Sequence, residues 1–148
     1  MFWSNRTGLK FPSNLRLKIR EALTPELLAT PDCLGDNGDP LYIVGKNGST
    51  TGLTAGRYSM LEAYLCDEFG VESTEVAVYN FNKMSGNFSE HGDSGSLIWT
   101  GDGRMVAILH SGMPKGMSSH VTYGTPAWWV IQQLLLKYPY AVFDRVAF

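Results

Sequence analysis

Short apolar runs, each stopped by a glycine-bearing turn, constrain this chain more than any other feature. The clearest pair is Ser96 to Thr100 and Arg104 to His110, joined by Gly101-Asp102-Gly103, a junction suited to a tight β-hairpin because glycine tolerates the left-handed backbone such turns need. A second pair is Leu41 to Gly45 and Thr50 to Tyr58, with Lys46-Asn47-Gly48 as the turn; Gly52 and Gly56 in the returning strand suggest a twist or bulge at a barrel corner. Glu75 to Phe81 sets Val76, Val78 and Asn80 against Ala77, Tyr79 and Phe81, a strand buried on both faces. Leu15, Leu17 and Ile19 alternate with Arg16, Lys18 and Arg20, which predicts a half-buried strand, and Ser119 to Tyr123 reads as the last one. Leu61 to Phe69 fits helix or strand equally. About six strands of this kind predict an all-β, six-stranded antiparallel barrel.

Two helices complete the reading. Thr24-Pro25-Glu26 is a capping residue, a proline and an acid, which start a short helix through Ala29. Thr125-Pro126 starts a C-terminal α-helix to about Tyr138, ahead of Pro139. Trp128, Ile131, Leu134 and Leu135 recur at helical spacing, so Trp128 and Trp129 read as packing residues rather than a ligand cage. Pro31 to Pro40 reads as a solvated acidic loop, because the spacing of Asp32, Asp36 and Asp39 does not match a calcium loop.

The chain has 148 residues, 44% hydrophobic and 18% charged, enough for one compact core. The expected organisation is a poorly ordered stretch over 1–12 and a single domain over 13–148. A net charge of -2 argues against nucleic acid as a partner. The longest apolar run, Trp128 to Leu136, contains Gln132 and Gln133 and is too short for a membrane span. No spacing of metal ligands, phosphate-binding loop or cofactor motif occurs, so neither metal nor cofactor is expected. Cys33 and Cys66 fit reduced, buried thiols at least as well as a bridge. Met1 to Arg6 lacks the pattern of a secretory signal. The sequons at Asn5, Asn47 and Asn87 matter only to a secreted chain, and the balance leans towards an intracellular protein.

The chemistry concentrates in His91-Gly92-Asp93-Ser94-Gly95-Ser96. Two glycines around an acid and a serine allow a tight bend. Such a bend can aim the Ser94 hydroxyl and the N–H groups of Gly92 and Ser94 at one point, while Asp93 holds the turn through backbone N–H groups. A nucleophile beside fixed donors suits acyl transfer, because the donors stabilise a tetrahedral oxyanion.

Gly-Asp-Ser-Gly-Ser followed by Leu97-Ile98-Trp99 resembles the nucleophile segment of trypsin-like (chymotrypsin-fold, PA clan) serine proteases. Lys46 to Thr54 and Val121 to Pro126 further resemble a group of fungal serine-protease-like proteins. The resemblance implies the second half of a double barrel, with Ser94 as nucleophile, Gly92 and Ser94 as the oxyanion hole, Asp93 and Gly95 supporting the bend, and Ser111 and Gly112 along one wall of the substrate cleft. In the family the base histidine and its aspartate come from the first barrel, earlier in the chain. This chain has three histidines, His91, His110 and His120, and none precedes position 91. His91 reads as a rim residue, and His120 shows no motif. His110 resembles the pocket histidine of glutamyl endopeptidases and viral cysteine proteases of the same clan. That implies a bias towards Glu or Gln before the scissile bond, weighed equally with a histidine satisfied by local backbone; Met113 would crowd the cleft mouth. In trypsins made as precursors the acid equivalent to Asp93 pairs with a freed N-terminal ammonium, and nothing near residue 1 resembles such an end.

Three functions follow from these expectations: a serine endopeptidase domain awaiting a first barrel, a pseudoprotease that binds peptide or protein, and a truncated product without independent function. The partners implied are a peptide or protein substrate and either the missing first-barrel segment or a second copy in a homodimer, since an isolated second barrel would expose apolar surface.

Overall fold

The structure is a computed structural model and describes residues 17–113 and 120–143; the expectations for residues 1–12 and for Leu15, Arg16 and Ser119 lie outside them. The elements are α1 (Pro25–Leu28), β1 (Cys33–Leu34), β2 (Pro40–Gly48), β3 (Gly52–Tyr58), β4 (Glu62–Cys66), β5 (Glu72–Asn80), β6 (Leu97–Thr100), β7 (Met105–Gly112), β8 (Val121–Pro126) and α2 (Ala127–Lys137). Six strands follow the order β2-β3-β5-β8-β7-β6, and β6 returns to β2, with Val44, Gly45 and Lys46 opposite Thr100, Trp99 and Ile98. Every pair among them is antiparallel. The fold is thus a closed six-stranded antiparallel barrel with a C-terminal helix. Closure leaves none of the six with an unpaired edge. β1 and β4 are appendages, paired with β2 and β5.

The barrel is filled from alternate positions. Tyr42 and Val44 of β2, Tyr58 of β3, Val76 and Val78 of β5, Ile98 of β6, and Val106 and Leu109 of β7 form one cluster with Leu23, Leu28 and Phe88. α1 closes one end: Thr24 accepts from the Leu27 N–H at 3.3 Å, and Leu28 is buried. The Tyr42 hydroxyl donates to the carbonyls of Leu27 and Thr30 at 2.8 and 3.1 Å.

Several expectations need correction. Residues 17–20 keep an alternating exposure but form no strand; Arg20 donates to the Gly103 carbonyl, and Ala22 makes an isolated bridge to Met105. Alternation marks a face, whereas a strand also needs a partner along its length. β2 runs on through Lys46, Asn47 and Gly48, so the turn falls at 49–51 and Gly52 opens β3. No bulge occurs in that ladder; the Gly56 position instead faces Val78, Phe88 and the Tyr79 carbonyl. Leu61 to Phe69 contains a strand, and the acidic loop contains β1, a two-residue return onto Pro40 and Leu41. Both cysteines are free, but Cys66 is exposed and Cys33 half-buried rather than enclosed. Trp128 packs against the core, whereas Trp129 is 45% exposed.

Candidate active site

The loop after β5 is fixed before it reaches the serine. Asn80 Oδ1 accepts the Phe88 N–H at 2.8 Å, Thr54 Oγ1 donates to the Phe88 carbonyl at 2.6 Å, and the Phe88 ring is buried. The bend then closes on itself: the Asp93 N–H donates to the Glu90 carbonyl and the Ser96 N–H to the Asp93 carbonyl, each at 3.1 Å. It is tied to β7 by the Gly95 N–H to the Leu109 carbonyl at 2.7 Å and the Leu109 N–H to the Ser96 carbonyl at 2.9 Å. Gly92 has φ +103°, and a Cβ there would strike Thr50 Oγ1. Only glycine satisfies both conditions.

Asp93 lies at the centre of this arrangement, 1% exposed. Its Oδ1 accepts the N–H groups of Thr50 and Thr51 at 2.8 and 3.1 Å; its Oδ2 accepts the Thr51 hydroxyl at 2.6 Å and the Glu90 N–H at 3.0 Å. Burial alone would raise its pKa, but these four donors outweigh burial and hold the carboxyl well below the usual carboxylate range. Oδ2 also faces Lys46 Nζ at 3.2 Å, both side chains fully buried. The ammonium has further contacts with Thr51 Oγ1 and the Gly52 carbonyl and lies 5.7 Å from the centre of the Phe88 ring. Because β2 extends past its expected end, Lys46 shares the inward face of Tyr42 and Val44, four and two residues before it. A charged residue on the core face is costly without a partner, and Asp93 is that partner.

Ser94 is exposed, and its hydroxyl donates to the His110 carbonyl at 3.1 Å. Among the described residues, no acceptor meets the N–H groups of Gly92 or Ser94, and no histidine ring or carboxylate takes the Ser94 proton. The serine opens onto a cleft of about 500 Å³, whose lining includes His91, His110, Ser111, Gly112, Met113 and His120. Both ring nitrogens of His110 have neighbours: Nε2 lies 3.2 Å from Glu75 Oε2, and Nδ1 lies 2.8 Å from Ser111 Oγ. His91 stands exposed at the rim. His120 Nε2 is buried with no hydrogen-bond partner among the described residues, and its ring lies against Gly112. Beside the cleft, the hydroxyls of Ser89, another lining residue, and Thr122 meet at 2.6 Å in a buried pair.

The structure therefore brings Ser94, Gly92, His110, Ser111 and Gly112 to one place, with Asp93 and Gly95 beneath. Sequence reasoning missed Lys46, Ser89 and Glu75, and set His120 aside for want of a motif. Strand parity would have found Lys46 had β2 been given its full length; no local pattern marks the other three.

No protein-family model and no curated protein matches the chain. The chain is similar to a chymotrypsin. The solved structure is that of Cellulomonas bogoriensis chymotrypsin, matched with a TM-score of 0.49 and 20% identity over 86% of this chain and 56% of that one. The chain thus spans little more than half the length of that protein. Among the described residues, no group of three or more His, Cys, Asp or Glu could hold a metal ion, and no helix is long and apolar enough to cross a membrane.

Proposed function

We propose that the chain is the nucleophile-bearing second barrel of a trypsin-like serine endopeptidase, acting on peptide or protein substrates once a first barrel supplies a histidine base and its aspartate. The observation that carries this reading is the fixed bend that presents the Ser94 hydroxyl to a cleft beside two N–H groups that meet no acceptor among the described residues. In the reaction Oγ bonds to the scissile carbonyl carbon as its proton passes to the supplied base. The N–H groups of Gly92 and Ser94 receive the oxyanion. The C–N bond then breaks, the amine leaves with the proton from the base, and water releases the acyl group by the same route.

The cleft favours Glu or Gln at the residue whose carbonyl is attacked. His110 with Ser111 and Gly112 forms one wall, and His120 adds a buried ring nitrogen free to meet a carboxylate or amide. A second reading, a pseudoprotease that binds peptides without cleaving them, is favoured by one observation: the only acceptor at Ser94 Oγ among the described residues is a backbone carbonyl.

Fluorophosphonate labelling, read by intact mass and peptide mapping with Ser94→Ala as control, tests these readings. The chain alone stays unlabelled, and a chain fused behind a first barrel bearing His and Asp is labelled at Ser94. Rapid labelling of the isolated chain would refute the need for an external base, and His110→Ala and His120→Ala would then identify the internal one. No labelling in the fused form, with a Glu-ending peptide still bound in the cleft, selects the binding module.

A further inference from the structure

The cleft holds a second serine that, unlike Ser94, already has an imidazole beside it. Ser111 is exposed in the cleft wall, and its Oγ lies 2.8 Å from His110 Nδ1. On the other side of the ring, His110 Nε2 lies 3.2 Å from Oε2 of Glu75, a residue only 6% exposed. No other described residue offers that oxygen a hydrogen-bond donor.

Neighbouring residues of a regular strand point to opposite faces, which would keep His110 and Ser111 apart. In β7 Leu109 pairs with Gly124 and Ser111 with Tyr123, so His110 is the extra residue of a bulge. A bulge re-aims side chains, and here both residues line the cleft. Because β5 and β7 flank β8, the Glu75 carboxylate comes to lie behind the ring. A carboxylate at Nε2 selects the tautomer with its proton on that nitrogen, and it faces the charge that the ring gains with a second proton. Nδ1 is then left as an acceptor for the Ser111 hydroxyl. The approach to Glu75 is an ion-pair contact rather than an aligned hydrogen bond, as catalytic contacts often are before a substrate binds. A hydroxyl within reach of a base, and a base held by a third group, is the arrangement of an activated nucleophile.

We propose that Ser111 as nucleophile, His110 as base and Glu75 as positioning acid hydrolyse small activated carboxylic esters in this barrel by itself. As Ser111 Oγ bonds to the ester carbonyl carbon, its proton passes to His110 Nδ1. The ester C–O bond breaks, and the alcohol leaves with that proton. Water then attacks the acyl carbon, and its proton passes through Nδ1 to Ser111 Oγ as the acid departs. This activity goes beyond the peptidase reading, since it needs neither the Ser94 hydroxyl nor a first barrel.

The test is acylation of the isolated chain by p-nitrophenyl acetate, whose phenolate leaves unaided, so that a base alone suffices. Nitrophenolate release is followed by absorbance, and the acetyl group is located by peptide mapping after an acid quench. An acetyl group on Ser111 is expected. Ser111→Ala abolishes it, and His110→Ala slows acylation roughly hundredfold. Glu75→Gln slows acylation at saturating ester roughly tenfold and leaves the half-saturating concentration unchanged, a split that loosened packing would not produce. Four results would overturn the proposal: an acetyl group confined to Ser94, to a histidine or to lysines; release no faster than in buffer; release that Ser111→Ala leaves unchanged; or an unchanged rate in folded Glu75→Gln. Ser111→Ala alters an exposed position, so it is decisive even where Glu75→Gln does not fold. Failure here leaves the labelling of Ser94 in the fused form a separate question, because the two serines are mapped apart.

Discussion

Replacing Lys46 with methionine keeps much of the side chain's volume and removes its charge, which isolates the buried ion pair beneath the serine bend. Two opposite charges 3.2 Å apart attract by roughly 5 kcal/mol at an effective dielectric near 20. Methionine also removes the cost of burying an ammonium, which offsets part of this. Asp93 keeps its four other donors, so it is not left bare. The net loss is therefore about 3 kcal/mol, the lower end of the range for breaking a buried pair. Urea unfolding at pH 7 measures it, and the double variant with Asp93→Asn gives the coupling. The pH dependence follows from the depressed carboxyl of Asp93. Its folded pKa lies below its unfolded one, so its stabilisation is complete above the unfolded value of about 4 and is lost as pH falls from there towards the folded value. The parent then loses its partner for Lys46, and the gap between parent and variant narrows below about pH 4. A loss under about 1 kcal/mol at pH 7, or a gap that widens in acid, would refute the assignment of Asp93 as the partner that makes Lys46 tolerable.

Gly92→Ala puts a Cβ at φ +103° against Thr50 Oγ1 and should lower stability by about 1–3 kcal/mol in the same assay. Ser89→Ala or Thr122→Val alone leaves one buried hydroxyl of the 2.6 Å pair unmatched and costs about 1–2 kcal/mol, whereas the double variant costs less than the sum. Strict additivity would show that the two hydroxyls do not depend on each other.

The strands were legible where two signals coincided. Glycine turns between apolar runs located β2, β3, β6 and β7, and alternation on two faces located β5, four of whose residues, Glu75 to Val78, are buried. The C-terminal helix was legible from its spacing, yet that spacing misassigned Trp129: periodicity gives a helix one apolar face, and only packing decides which large residues that face covers. Over residues 17–20 the alternation misled in the same way, because it cannot say whether a partner strand lies beside it.

The Gly-Asp-Ser-Gly run determined by itself where a serine, two glycines and an acid would share one bend, since those residues shape the backbone locally. What surrounds the bend was decided only when the barrel closed. Lys46 and Asp93 are 47 positions apart and meet because β2 runs long enough to turn the lysine inward; His110 and Glu75 meet because β7 and β5 each pair with β8. Such contacts depend on strand length and register, which long-range pairing sets and no local run of residues encodes.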